Sequence, residues 1–285
     1  MQVQIIGDCG ESDPLLDRIV RQAGFVSLPP LSLERLERGE GLPIPESCRL
    51  IVIATDSSGS DFETLLRVLK MRMPNYPIVG IIGSRWANGS RIALEAGIHG
   101  CLPWDCVEGE FEGIIREMLD PRHSTVLSYT LSNQPEYVPL IMSQARVLLE
   151  NWRFHESIEP DRISVALGEA LENALYHGNL GLDSELRQGN GNRWREESLR
   201  RRSLPPYRER LLRFRGIASD QSIQFVIRDE GAGFDPHNQR DCTESRNLER
   251  CSGRGLLLMR MYMDKVEYNS SGNEVTLIKF RPEPR

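Results

Sequence analysis

Short apolar, β-branched runs recur through the first 120 residues, each followed by a stretch of helical period, and that alternation restricts the segment to a doubly wound α/β sheet. The expected strands are Val3 to Gly7, Leu50 to Ala54, Ile78 to Ile82 and a short one near Cys101. Asp13 followed by Pro14 marks a helix start, and Leu15, Leu16, Ile19, Val20 and Ala23 share one face of that helix. Further helices are expected from Asp61 through Leu69, from Arg91 to Ala96 with Gly97 as the stop, and from about Glu110 to Leu119. Asp120-Pro121 ends the pattern.

From His123 the order changes to α+β. A strand-like stretch at 126 to 132 leads into a helix from Pro139 to Arg153, then a second from Asp161 to His177 with Gly178 as its stop. Residues 181 to 208 show no clean period and are rich in Gly, Asn and Arg, so they read as an insertion. Strands follow at 211 to 217 and 223 to 229, then a Gly-rich loop, a helix from Gly255 to Asp264, and strands at 265 to 269 and 274 to 280. The expected domains are 1–121 and 122–285, and a length of 285 residues fits two domains at ~150 residues each.

No apolar run approaches the ~18 residues of a membrane span, and the N-terminus lacks a secretory pattern, so no membrane association and a cytoplasmic location are expected. Six scattered cysteines form no CxxC pair and imply neither structural zinc nor disulfides. With 35 basic and 41 acidic residues the net charge is −6, which disfavours nucleic acid as the partner. Residues 187 to 215 invert that balance locally, with ten arginines against three glutamates. Such a segment suits a solvated face, an acidic protein partner or nucleic-acid contact, and no helix-turn-helix or zinc module supports the last.

Three motifs carry chemistry. Glu169, Asn173 and His177 stand at i, i+4 and i+8, a polar stripe on a helix whose other face is aliphatic; a carboxylate and a carboxamide one turn apart suit Mg²⁺ ligation near phosphates or proton acceptance. Asp229, Gly231 and Gly233 form a DxGxG turn, in which an aspartate at a strand end can accept from an exocyclic amine while glycines admit a flat ring. Gly253, Arg254 and Gly255 then open an apolar helix, where free N–H groups and the helix dipole receive phosphate oxygens.

The stretches GEALENALYHGN (168 to 179), RDEGAGFDP (228 to 236), ERCSGRGLLLMRMYMD (249 to 264) and GNEVTLIKF (272 to 280) resemble the N, G1 and G2 boxes and final strand of the Bergerat-fold ATPases, nearest to the anti-sigma serine kinases of bacterial partner-switching systems. That resemblance implies ATP and Mg²⁺ as cofactors, Glu169 as general base, Asn173 as the Mg²⁺ ligand and Asp229 as the adenine acceptor. It places Gly231 and Gly233 along the base, Gly253, Arg254 and Gly255 over the phosphates, Thr276 near the adenine, and His177 at the phosphates or in a packing role. The implied activity is phosphorylation of Ser or Thr on an anti-sigma antagonist of STAS type, with a sigma factor as competing partner; the family also allows a homodimer. The alternative is a non-catalytic, ATP-gated binding protein. No helical hairpin with a phosphoaccepting histidine precedes the N box, which argues against a histidine kinase.

The first 120 residues resemble the receiver domain of response regulators through GSDFETLLRVLK (59 to 70) and RIALEAGIHGCLPWD (91 to 105). Aligned on those stretches, Ala54 takes the phosphoacceptor position, Ile82 the hydroxyl position and Trp104 the lysine position, while Asp8 alone remains of the acidic pair and Asp56 lies two residues late. The resemblance therefore implies a pseudo-receiver that works without aspartyl phosphate.

Overall fold

The computed structural model describes residues 1–7, 12–29, 44–55, 60–83, 88–152, 159–183, 192–236 and 254–282. The chain forms two compact units, Met1–Tyr129 and Thr130–Arg285. No described helix is long and apolar enough to cross a membrane.

The first unit is the expected doubly wound α/β fold. Strands β1 (Gln2–Gly7), β2 (Val26–Ser27), β3 (Cys48–Thr55), β4 (Ile78–Ile82) and β5 (Gly100–Pro103) form a parallel sheet in the order β2-β1-β3-β4-β5. The sequence-based boundary at 121/122 differs from the observed division because β6 (His123–Ser132) begins as a further parallel strand, pairing Ser128 with Gly100 and Tyr129 with Cys101. Helices α1 (Ser12–Gln22) and α4 (Val107–Met118) cover one face through Leu16, Val20, Phe111 and Ile115, while α2 (Ser60–Arg72) and α3 (Gly89–Glu95) contribute Phe62, Leu66, Ala93 and Leu94 to the remaining core. A strand buried on both faces reads as a continuous apolar run, which is why Leu50 to Ala54 carries no alternation. The two-residue β2 escaped notice because it is too short to show a period. Ala54 and Ile82 are buried apolar side chains, so neither supplies a carboxylate or a hydroxyl. Asp8 and Asp56 lie outside the described residues.

The second unit packs three helices on one face of an antiparallel sheet. Strands β7 (Leu211–Ser219), β8 (Ser222–Arg228), β9 (Lys265–Tyr268) and β10 (Glu274–Phe280) run in the order β7-β8-β10-β9. Against them lie α5 (Tyr137–Asn151), α6 (Pro160–Glu172) and, with α6 between, α8 (Arg254–Tyr262). Ile141, Leu148, Ile163, Leu167, Leu171 and Met259 meet a sheet face that includes Phe214, Phe225, Ile227, Val275 and Leu277. Gly216 sets the approach of α5, since a β-carbon there would stand 3.0 Å from Leu148 Cδ2.

Two features depart from expectation. The helix expected to run to His177 instead widens after Glu172 into a π-wound segment, Asn173–Asn179, in which the Leu180 amide donates to the Leu175 carbonyl at 2.9 Å. Gly178 is not the left-handed stop; Gly181 takes that conformation, with φ of +60°. The second feature is α7 (Asn192–Arg202), inside the supposed irregular insertion. It shows no period because, among its described side chains, only Trp194 and Ser198, one turn apart, are buried. Trp194 joins Leu180 and Leu182 in a small cluster flanked by Tyr176 and Tyr207. Its arginines are largely compensated within the unit: Glu197 pairs with Arg200 and Arg201 at 2.7 Å, and Arg202 with Glu136 at 3.4 Å. Trp194→Ala is expected to lower the unfolding free energy by about 3 kcal/mol. A urea midpoint equal to that of the wild type would place α7 outside the cooperative unit.

Candidate functional site

A cavity of about 610 Å³ opens in the second unit between the α6 and π-wound stretch, the loop after β8, the start of α8 and the β9–β10 hairpin. One end is set by helical spacing. Glu169 and Asn173 stand one turn apart and both line the cavity. The first turn of α8 lies against them: a β-carbon on Gly255 would fall 2.6 Å from Glu169 Oε2 and 3.6 Å from Asn173 Nδ2. Backbone amides at a helix start thus lie beside a carboxylate and a carboxamide, and a side chain at 255 would displace the Glu169 carboxylate from its present place.

The other end is built around Asp229, which is 7% exposed and lines the cavity immediately after β8. Its Oδ1 accepts from the Gly231 amide at 2.8 Å. Its backbone is pinned to the hairpin, with the Asp229 amide donating to the Asn273 carbonyl at 3.0 Å and Asn273 Nδ2 donating to the Asp229 carbonyl at 3.2 Å. Asn179, fully buried, ties the π-wound segment to this turn: Oδ1 accepts from the Glu230 amide at 2.8 Å and Nδ2 donates to the Leu211 carbonyl at 3.1 Å. Gly178 packs so closely on Asp229 that a β-carbon there would overlap the carboxyl group. Burial pushes the Asp229 carboxyl up to about 6, against the lowering influence of the Gly231 amide and the Arg210 charge.

Of the residues expected from the motifs, Glu169, Asn173, His177, Asp229, Gly233 and Gly255 line the cavity. His177 has its Nδ1 held by the Leu182 carbonyl at 2.7 Å and its ring edge against Trp194 at 5.7 Å, so one ring nitrogen is committed to packing. Gly231 does not line the cavity. It stands behind Asp229, against the Gly178 carbonyl oxygen, and acts through its amide. Thr276 is also misplaced by the sequence reading. Val275 and its register partner Ile227 line the cavity, and strand alternation turns Thr276, paired with Val226, to the opposite face. Asn273 is the hairpin residue that reaches the site. Gly253 lies outside the described residues, as does the side chain of Arg254, whose backbone opens α8.

Sequence reasoning missed Asn179, Asn273, Tyr207 and Arg210. The signal for Asn179 was a lone amide between Gly178 and Leu180, a buried polar group needing partners. Arg210 carried no signal among its neighbouring arginines. Among the described residues no three His, Cys, Asp or Glu side chains come together as a metal site. The set fits a purine nucleotide with its cation: oxygen ligands and helix-start amides at one end, a buried acceptor beside glycine-packed backbone at the other.

The Histidine kinase-like ATPase domain family matches residues 131–279. No curated protein matches the sequence. Among solved structures, the receiver domain of RcsB from Salmonella enterica serovar Typhimurium is 12% identical, covering 42% of this chain and 89% of its own, with a TM-score of 0.34. FixJ from B. japonicum is 19% identical over 73% of this chain and 86% of its own, at 0.31, and the response regulator ChrA of a heme-sensing two-component system is 18% identical over 71% and 98%, at 0.34. These likenesses are distant, and the fold of the first unit is read from its own strand order.

Proposed function

We propose, from the premise that this chain belongs to the histidine kinase-like ATPase domain family across residues 131–279, that its second unit binds Mg·ATP and phosphorylates a Ser or Thr of a protein partner. The observation that carries the reading is the Glu169 carboxylate beside the first turn of α8 and one helical turn from Asn173, inside the same cavity that holds Asp229. A proton acceptor at the phosphate end is what a hydroxyl nucleophile needs and what a purely nucleotide-binding site does not.

When bound, Mg·ATP supplies the phosphoryl group and the charge neutralisation that lets an oxygen nucleophile approach it. The chain's own residues do the rest. Asp229 accepts a hydrogen bond from the exocyclic amine of the base, and its orientation is fixed by the Gly231 amide and the Asn273 pair. Asn173 would hold the cation that accompanies the phosphates. Amides at the start of α8 receive phosphate oxygens. Glu169 takes the proton of the incoming hydroxyl on a carboxylate oxygen. By the resemblance of the motifs, the partner is an anti-sigma antagonist of STAS type, competing with a sigma factor for this chain.

The test is transfer of labelled phosphate to the partner that copurifies with the full chain. Glu169→Gln is expected to lower transfer by about 10²–10⁴-fold while calorimetric affinity for Mg·ATP stays within about threefold. Undiminished transfer would remove Glu169 from the role. A wild type that binds Mg·ATP and transfers nothing would be a nucleotide-gated binding protein, and one that binds no nucleotide would overturn the reading of the cavity.

A further inference from the structure

The wall of the cavity beside Asp229 comes from a part of the chain that carries none of the three motifs. Gly181, Tyr207 and Arg210, within and just beyond the arginine-rich insertion, all line it. Arg210 is anchored on the backbone of the π-wound segment, donating through Nη1 to the Asn179 carbonyl at 2.7 Å and to the Gly178 carbonyl at 3.4 Å. Gly178 is the residue packed on the Asp229 carboxyl group. The Tyr207 ring braces the cation, its centroid 5.1 Å from the Arg210 guanidinium and 5.3 Å from that of Arg201. Arg201 is itself fixed on the Leu180 and Gly181 carbonyls at 2.8 and 2.6 Å. Arg210 forms no ion pair at contact distance among the described residues, so its charge remains available to the cavity.

We propose that Arg210 is a positioning residue for base selection: fixed beside Asp229, it keeps that side chain a hydrogen-bond acceptor, so that the cavity takes a purine with an exocyclic amine at C6 and rejects one with a carbonyl there. The inference rests on the nucleotide reading of the cavity. An ionised carboxylate has acceptors only, which match the N6 amine of adenine and repel O6 of guanine; a protonated carboxyl adds an O–H donor, which suits O6. Burial drives Asp229 toward the protonated form, and the Arg210 charge opposes it. The other charged or titratable groups around Asp229 do not replace that cation at the base. Arg228, at the end of β8, lowers the carboxyl as well but is exposed and does not line the cavity. Glu230 is paired with Arg213 at 2.7 Å. His177, from the π-wound segment, and Glu274, from β10, line the cavity, and His177 has one nitrogen bonded to backbone.

The experiment uses the full chain as wild type, Arg210→Gln and Arg210→Lys. Calorimetric affinities for Mg·ATP and Mg·GTP are measured from about pH 6 to about pH 8, and the Asp229 carboxyl is titrated by ¹³C NMR in the nucleotide-free protein. The wild type is expected to prefer ATP. In Arg210→Gln the carboxyl midpoint should move to higher pH, ATP affinity at neutral pH should fall about tenfold, the loss should shrink as pH rises, and the preference over GTP should narrow. Arg210→Lys, keeping the charge, should restore most of both. A Gln variant with the wild-type carboxyl midpoint, pH profile and base preference would overturn the inference while leaving the nucleotide site intact. If the Gln variant fails to fold, a Lys variant with relaxed preference and an unmoved carboxyl midpoint would overturn it equally. A wild type that binds neither nucleotide overturns both readings.

Discussion

Asp229→Asn is expected to yield a protein that no longer binds Mg·ATP and yet melts at a higher temperature near neutral pH. The carboxyl sits buried in the folded chain, pushed from 3.8 up to about 6, so near pH 7 the fold holds an ionised group in a place that resists charge. A raised carboxyl pKa means that the folded state binds the proton more tightly than the unfolded chain. The stability contributed by that proton is present in full below 3.8 and is lost as pH rises through about 6. Replacing the acid by its neutral isostere removes the penalty while leaving Oδ1 to accept the Gly231 amide. The gain is about 3 kcal/mol, or about 8 °C for a unit of this size. It should vanish near pH 4, where the wild-type carboxyl is also neutral. Calorimetric melts at the two pH values and nucleotide titrations check both halves; equal melting temperatures at neutral pH would show that the site accommodates the charge without cost.

Gly231→Ala carries the second large effect, in the opposite direction. A β-carbon at 231 meets the carbonyl oxygen of Gly178, with Asp229 Oδ1 at 2.8 Å. Both obstacles are fixed, one being backbone and the other a carboxyl held by the same residue's amide, so no rotamer change relieves the overlap. The turn must move, and with it the bonds from Gly231 to Asp229 and from Glu230 to Asn179. The expected loss is about 3 kcal/mol in urea denaturation, with ATP affinity falling at least about tenfold. Gly113→Ala is the control: on an exposed turn of α4 with nothing within 4 Å of the new carbon, it should raise stability by about 0.5–1 kcal/mol. Equal effects from the two substitutions would show that the crowding at 231 is relieved without cost.

The first unit was legible because its strands are apolar on both faces and its helices carry clear stripes; Leu50 to Ala54 and Phe62 to Leu69 fall where period and composition place them. In the second unit, side chains that line the cavity one helical turn apart were legible, since Glu169 and Asn173 follow from spacing alone. What escaped depends on partners distant in sequence. Thr276 and Val275 are adjacent and equally strand-like, and only the packing face decides which of them meets the cavity. Asn179 is read correctly only once Leu211 and Glu230 are known to surround it. α7 defeated periodicity because one tryptophan and one serine anchor an otherwise polar helix.

The wider winding of Asn173–Asn179 fixes a phase relation. Compared with a regular α-helix, it accommodates about one additional residue per turn, and Asn179 then arrives in register to bridge Leu211 and Glu230. Removing one residue from this stretch would let the helix run on with uniform pitch, a local improvement by helical standards. The bridging amide would then be rotated away from its two partners and the aspartate turn would lose its tether. At this point in the chain, regularity and recognition are mutually exclusive.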